Sequence, residues 1–262
     1  MSVVDLGGFM EELATISGQA ILPFFRTALG TEDKAAGTGA FDPVTEADRA
    51  AESAMRHLIK GRFPQHGILG EEFGAEATDA EYVWVLDPID GTRAFIAGLP
   101  LWGTLIGLTR NGVPVRGLMN QPFTGERFSG DGAAATWRGA SGERRLRARR
   151  CDRLEDALLC TTSPKLFAGP EAAAYEGIEA GVRLARYGTD CYAYCMLAAG
   201  HVDLVVEAGL KAYDIVALIP IIEGAGGVVT DWQGQSAAAG GRIVAAGDPR
   251  LHEAALARLR DV

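Results

Sequence analysis

The chain has no positive charge to spare. Its 262 residues carry 34 acidic against 25 basic side chains, a formal net charge of −9. That balance excludes the broad basic surface with which proteins neutralise nucleic-acid phosphates. One local basic run, Arg144, Arg145, Arg147, Arg149 and Arg150, reads as a solvated strand face or an interface. Cysteine is scarce: Cys151, Cys160, Cys191 and Cys195. Cys191 and Cys195 stand one helical turn apart, but no histidine lies at zinc-site spacing, so buried free thiols are expected. A basic segment followed by an apolar core is missing near residue 1, and no apolar run is long enough to cross a bilayer. These absences set the expectation of a reducing, cytoplasmic setting with no membrane partner. Repeats and long disordered stretches are absent too.

What remains is globular. Hydrophobic residues make up 48% of the chain, enough for a substantial core in one large domain or two small ones. Leu6, Phe9, Met10, Leu13, Ile16, Ala20 and Phe24 recur at helical spacing. Gly30 to Ala40 lacks any apolar period and reads as a mobile loop holding Lys34. After Phe41-Asp42-Pro43, Thr45 reads as an N-cap with Asp48 at the capping-box position. The helix it opens runs to Phe63, where Pro64 ends it. A short strand from His66 to Gly70 leads into Glu71-Glu72.

The stretch Val83 to Pro100 is the most informative. Val83-Trp84-Val85-Leu86 reads as a strand buried on both faces. It is expected to end on Asp87, with Asp90 on the following turn, then Gly91-Thr92 and a short helix from Arg93. Two acids so placed repel and desolvate each other unless a cation sits between them. Carboxylate and carbonyl oxygens are what Mg²⁺ prefers. Gly91 and Thr92 also present backbone N–H groups at a helix start, where a phosphate can dock. Taken alone, the stretch reads equally well as a solvated turn, since Asp, Pro and Gly are common turn residues.

Leu101 to Thr109, the hairpin signal Asn111-Gly112, and Val113 to Met119 begin an antiparallel meander that continues to Arg149. From Cys151 the texture alternates. Strands are expected at Leu158–Thr161, Val182–Arg186, Val202–Glu207, Gly227–Thr230 and Ile243–Ala246. Helices are expected at Pro170–Ala180, Asp190–Ala199, Asp214–Ala225 and Pro249–Leu259. The change of texture divides the chain at about residue 150, into an α+β unit (1–150) and an α/β unit (151–262). Asp214 is expected to cap its helix, Pro220 to kink it, and Gly226-Gly227 to stop it.

Acids therefore stand at element ends in four places. The sequence shows D-P-V-T-E-A-D (Asp42 to Asp48), G-E-E (Gly70 to Glu72), L-D-P-I-D-G-T (Leu86 to Thr92) and Y-D (Tyr213-Asp214). In order and spacing this set resembles the inositol monophosphatase superfamily. The resemblance implies a layered αβαβα sandwich, of the inositol monophosphatase and fructose-1,6-bisphosphatase type. It implies phosphate-monoester hydrolysis by a metal-activated water. Glu71, Asp87 and the Ile89 backbone carbonyl would hold one Mg²⁺. Asp87, Asp90 and Asp214 would hold a second, and Glu71 would help with a weaker third; Mn²⁺ is a substitute. Asp90, Gly91 and Thr92 would bind the phosphate. Glu71, Thr92 and Asp48 would act in catalysis, with Asp48 paired to the Thr92 hydroxyl. Lithium sensitivity and a homodimer are further implications.

Departures from the inositol-phosphate pattern resemble the histidinol-phosphatase branch. Tyr213 stands where a Trp is usual, and Arg93 follows Thr92. The stretches Gly98 to Thr104, Tyr187 to Tyr194 and Ala199 to Asp214 are similar to that branch as well. Histidinol phosphate carries an ammonium and an imidazole, so its pocket needs acids outside the metal site. Asp190 and Glu207 are the candidates; the plain alternatives are an N-cap and a solvated loop acid. An inositol-1-phosphate or broad sugar-phosphate phosphatase is the rival within the superfamily. A haloacid-dehalogenase-type phosphatase, with Asp87 as nucleophile, needs a two-residue Asp spacing that this chain lacks. A non-catalytic metal-binding regulator is the rival of another class.

Overall fold

A computed structural model describes residues 5–27, 31–33 and 43–262, with the backbone alone at 31–33, 43 and 44. The expected loop from Gly30 to Ala40 and the Phe41-Asp42 pair lie largely outside these residues. Within that loop, Thr31–Asp33 (β1) forms a short strand against Pro43–Thr45 (β2).

The first layer is a helix pair. Leu6–Ile21 (α1) packs on Glu46–Arg62 (α2). The expected capping box opens α2: the Asp48 carboxylate accepts from the Thr45 N–H (2.9 Å) and hydroxyl (2.6 Å). Phe9, Leu13, Met55 and Ile59 from this pair meet Trp84, Leu86, Ile106 and Leu118 of the sheet beneath.

That sheet has eight strands. In chain order they are Gly67–Gly70 (β3), Gly74–Glu76 (β4), Tyr82–Asp90 (β5), and, after the short helix Thr92–Ile96 (α3), Gly103–Arg110 (β6), Val113–Gln121 (β7), Glu126–Gly130 (β8), Ala135–Gly139 (β9) and Gly142–Arg145 (β10). Their spatial order is β10-β9-β8-β7-β6-β5-β3-β4. The expected meander is present from β5 to β10. Asn111 (φ 50°) and Gly112 (φ 78°) turn the β6–β7 hairpin, both left-handed as a type I′ turn requires. The single parallel pair, β3 with β5, aligns Gly70 with Leu86.

The second sheet follows: Leu158–Thr161 (β11), Pro170–Glu179 (α4), Leu184–Tyr187 (β12), Asp190–Ala198 (α5), Leu204–Leu210 (β13), Ala212–Ile215 (α6), Ile219–Gly224 (α7), Val228–Asp231 (β14), Gly241–Ala246 (β15) and Pro249–Leu259 (α8). Its order is β12-β11-β13-β15-β14. Helices α5 and α7 lie between the two sheets, touching Leu105, Met119 and Phe128 on one side and Val205, Ile243 and Ala245 on the other. Helices α4 and α8 cover the outer face through Tyr175, Ile178, Leu251 and Leu259. The five layers are helix, sheet, helix, sheet, helix, as expected.

Two expectations need correction. The strand expected to end at Asp87 runs on to Asp90, with a register shift between the two. Pro88 cannot donate to the ladder, and its carbonyl is taken by the Thr104 hydroxyl (2.8 Å), itself held by Ser17 (2.8 Å). The single helix expected over 214–225 is two, α6 and α7, because Pro220 starts the second helix rather than kinking the first. The arginines of the 144–150 run are exposed, as expected, and one of them, Arg149, also pairs its guanidinium with the fully buried Asp203 just before β13.

The chain from Val216 to Ile221 reaches the first sheet across a row of glycines. Gly107, Gly117 and Gly130 are aligned across β6, β7 and β8. A Cβ at Gly117 would sit 1.7 Å from the Ala217 carbonyl oxygen, and one at Gly130 would sit 2.4 Å from that of Pro220. Backbone atoms on both sides leave no side chain to swing aside. Gly117→Ala is therefore expected to lower the thermal midpoint by roughly 5–10 °C, read by calorimetry. A midpoint unchanged within error would show that the sheet and the 216–221 segment separate freely.

Candidate active site

Register builds the first half of the site. Since β3 and β5 are parallel and Gly70 faces Leu86, the next residues, Glu71 and Asp87, become neighbours. The Glu71 N–H donates to the Leu86 carbonyl (3.1 Å). The two carboxyls lie close enough to share a hydrogen bond. Asp87 is 1% exposed, held within β5 directly after its run of apolar residues on both faces. Its Oδ1 finds no hydrogen-bond partner among the described residues.

The second half comes from the other sheet's connections. Asp214 is not the cap of α6, as expected, but its third residue; Lys211 takes the cap position, and its N–H donates to Asp214 Oδ2 (2.6 Å). This arrangement turns the carboxyl toward β5. Carboxylate oxygens of Asp87, Asp90 and Asp214 lie within 4.8 Å of one another. Asp90 Oδ2 also accepts the Cys191 N–H (2.6 Å) at the start of α5.

The electrostatics follow from crowding in a dry place. Burial pushes the Asp87 carboxyl well above the carboxylate range, and Glu71, Asp90 and Asp214 push it further. Asp90 is raised by burial, then by Asp190 and Asp214, against the pull of its Cys191 bond. Asp214 is pushed up to about 7, chiefly by burial, although the Lys211 N–H favours its charged form. A hard divalent cation fits this donor set, which is all oxygen, with an unpartnered Asp87 oxygen aimed among the acids. The Ile89 carbonyl accepts the Thr92 hydroxyl (3.0 Å) and keeps a second lone pair for a cation.

Gly91 sits at φ 85°, and a Cβ there would meet the Leu101 carbonyl oxygen at 2.8 Å, so only glycine fits. It caps α3, whose backbone bonds begin with the Phe95 N–H on the Gly91 carbonyl (3.0 Å). The N–H groups of the first turn thus point away from the helix. The Thr92 hydroxyl and Asp48, expected to pair, each have another partner among the described residues. That hydroxyl has one proton, and it goes to Ile89, while Asp48 holds Thr45.

Asp190 and Glu207 are brought together beside Thr162. Glu207 is no loop acid: it lies in β13, 1% exposed. Its Oε1 accepts the Thr162 N–H (2.6 Å) and hydroxyl (3.0 Å), and its Oε2 has no partner among the described residues. Burial raises it to about 8. Asp190 is the first residue of α5 rather than its cap, with a left-handed φ of 41°. Burial raises it to about 6, with Thr162 and Arg93 pulling the other way. Tyr194 Oη and Thr189 Oγ1, nearby on α5 and its cap, are likewise buried without partners among the described residues.

Sequence reasoning missed the groups that hold these acids. The Cys191 N–H is a backbone donor and leaves no residue-type signal. Glu52 accepts the N–H groups of Glu72 and Phe73, directly after Glu71. Its i,i+4 spacing to Arg56 looks like an ordinary surface pair.

A bifunctional phosphatase of Arabidopsis thaliana, IMPL2, is 45% identical over 94% of this chain and 72% of its own length. A histidinol-phosphatase of Mycobacterium tuberculosis is 37% identical over 83% of this chain and 84% of its own. The solved structure of an inositol monophosphatase from Zymomonas mobilis superimposes with a TM-score of 0.87, at 43% identity, over 99% of both chains. The sequence model of the inositol monophosphatase family matches residues 6–262, and this chain belongs to that family of metal-using phosphatases.

Proposed function

We propose that the protein is a Mg²⁺-dependent phosphomonoesterase that hydrolyses L-histidinol phosphate to L-histidinol and phosphate. The observation that carries the choice of substrate is the buried Glu207 carboxyl, with one oxygen unpartnered among the described residues, beside Asp190. Two acids away from the metal trio suit a leaving alcohol that bears an ammonium and an imidazole. The name of the Mycobacterium relative, a histidinol-phosphatase, supports the same reading.

In this reading the first unit supplies Glu71, Asp87, the Ile89 carbonyl and Asp90, and the second supplies Asp214, Asp190 and Glu207. Glu71, Asp87 and Ile89 would hold one cation, and Asp87, Asp90 and Asp214 another. Bound there, Mg²⁺ supplies Lewis acidity toward the phosphoryl oxygens, the attacking water and the departing alkoxide. Gly91 and Thr92 direct N–H groups at the phosphate. Glu71 takes the proton of the attacking water, which Thr92 helps to orient; Asp48 secures the start of α2 behind them. The water oxygen bonds to phosphorus, the bond from phosphorus to the alcohol oxygen breaks, and that oxygen takes up a proton.

A second reading, an inositol-phosphate phosphatase, draws on the solved Zymomonas structure, which is titled an inositol monophosphatase. Both readings share the metal site, so kcat/KM for the two substrates separates them. Histidinol phosphate is expected to be the better substrate by at least ~10-fold, and Glu207→Gln to remove most of that preference. Equal or faster turnover of inositol 1-phosphate would reverse the assignment.

Asp90→Asn tests the metal chemistry itself. Turnover should fall by about 10³-fold or more, with the far-ultraviolet circular dichroism of the parent retained and the Mg²⁺-induced rise in thermal midpoint lost. Parent-like turnover would exclude the two-metal arrangement.

A pH dependence follows from Glu207. Its carboxyl is raised to about 8 in the folded chain, against about 4.5 unfolded, so between these values the folded state holds a proton that the unfolded state has released. Stability from this group is complete below about pH 4.5 and is lost as pH rises to about 8. Asp214, raised to about 7, acts in the same sense. The thermal midpoint of the metal-free protein should therefore fall across this window, and less steeply in Glu207→Gln. An identical slope in the variant would show that Glu207 is ionised in the folded protein throughout.

A further inference from the structure

Glu52 is fully buried, one helical turn beyond Asp48 on the face of α2 that meets the sheet. Its Oε2 accepts the Glu72 N–H (2.7 Å), and its Oε1 accepts the Phe73 N–H (3.2 Å). Arg56 Nε donates to the same Oε1 (2.8 Å), and Arg56 Nη2 donates to the Gly74 carbonyl. One carboxylate and one guanidinium thus hold backbone groups of three successive residues, Glu72, Phe73 and Gly74, where β3 turns into β4. On the other side of Glu71, a Cβ at Gly70 would lie 2.0 Å from Glu52 Oε1. The closeness of that approach makes glycine a requirement of the carboxylate's position.

Burying such a pair contributes little net stability, because desolvation offsets the attraction. Apolar residues of similar volume would cover α2 equally well. What they could not do is bind the N–H groups that follow Glu71.

We infer that Glu52 and Arg56 form a positioning unit that fixes the Glu71 turn for cation binding. The inference rests on the proposed role of Glu71 as a metal ligand. The pair touches neither substrate nor cation; it acts through the backbone on either side of Glu71. With Glu52 in place, the Glu71 carboxyl is already aimed at Asp87 before a cation arrives. Without it, ordering the turn must be charged against the binding energy, and affinity falls.

The test is Mn²⁺ binding, followed by calorimetric titration and by the electron paramagnetic resonance of free Mn²⁺. The parent is compared with Glu52→Gln, Arg56→Lys and Glu71→Gln. Gln at 52 presents an amide where the turn needs an acceptor, and Lys at 56 keeps the charge but loses the fork. Glu52→Gln should weaken Mn²⁺ binding roughly tenfold and Arg56→Lys roughly threefold. The Mg²⁺ concentration for half-maximal turnover should rise by the same factors, while KM for the phosphate monoester at saturating Mg²⁺ stays near the parent value. A purely structural role would instead lower the thermal midpoint and leave the Mn²⁺ affinity of the folded fraction unchanged. If Glu52→Gln fails to fold, Arg56→Lys carries the comparison. Parent-like Mn²⁺ affinity in the folded variants, with Glu71→Gln weakened, would overturn the positioning role. Parent-like affinity in Glu71→Gln would overturn the ligand role of Glu71, and the inference with it.

Discussion

Asp87, Asp90 and Asp214 crowd their oxygens within 4.8 Å of one another where water is largely excluded, and the rest of the structure is arranged around that repulsion. At this distance, with an effective dielectric constant near 20, each pair of full charges costs about 3 kcal/mol. Three pairs approach the whole stability of a typical domain. The trio therefore cannot be fully ionised by itself; it takes up protons, as the raised Asp214 shows, or it takes up a cation. A fold that keeps these groups together in the absence of the ion must hold each one by its backbone. In each case a different device supplies the hold.

Asp87 and Asp90 lie at the end of a strand buried on both faces, where Pro88 interrupts the ladder and the Thr104 hydroxyl donates to its carbonyl. Glu71 is placed by the parallel register of β3 against β5. Asp214 rides on α6, and the chain beyond it is pressed on the glycine row of β6, β7 and β8. That row shows how the chain after α6 comes to lie on the first sheet. Removing three side chains from neighbouring strands lets the backbone after α6 lie directly on the sheet, while Ala212 and Tyr213 of α6 itself pack against Val83 and Val85. The Cys191 N–H then ties Asp90 to α5. The site is thus shared by rigid elements from both sheets, with Asp190 near Asp90 and Glu207 buried beyond it.

Much of this was legible in the sequence, for local reasons. The capping box at Thr45 and Asp48, the Asn111-Gly112 hairpin and the boundaries of β11 and α8 depend on residues close in the chain. The acids at element ends were legible because their residue types and order are unusual together. The exact course of β5 past Asp87 was not, because a bulge stabilised by Thr104 and Ser17 depends on hydroxyls distant in sequence. Asp214 was read as a cap because an acid before an apolar run looks the same at the cap and at the third helical position. Glu52 escaped because i,i+4 pairs to arginine are common on exposed helix faces, and only the fold shows that this one is buried. Glu207 illustrates the same limit: its strand was expected, but its depth depends on β11 and β15 closing over it.

The choice of leaving alcohol turns on a different energy from the choice of chemistry. A carboxyl raised to about 8 by burial is mostly protonated near neutrality, and ionising it there costs free energy that some partner must return. An inositol hydroxyl can hydrogen-bond to the neutral acid, but it brings no charge with which to offset ionisation. An ammonium or imidazolium does, and it gains most where water has already been removed. The same burial that makes Glu207 unfavourable as a free acid therefore makes it discriminating as a partner. Asp190, raised less and facing Arg93, is the more easily ionised of the two. In the cationic-substrate reading the pair is graded: Asp190 provides a ready charge near Asp90, and Glu207 becomes charged when a cation reaches its free oxygen. Selectivity then comes from the difference between a ligand that can neutralise Glu207 and one that can only hydrogen-bond to it, with the metal-binding acids contributing equally to both.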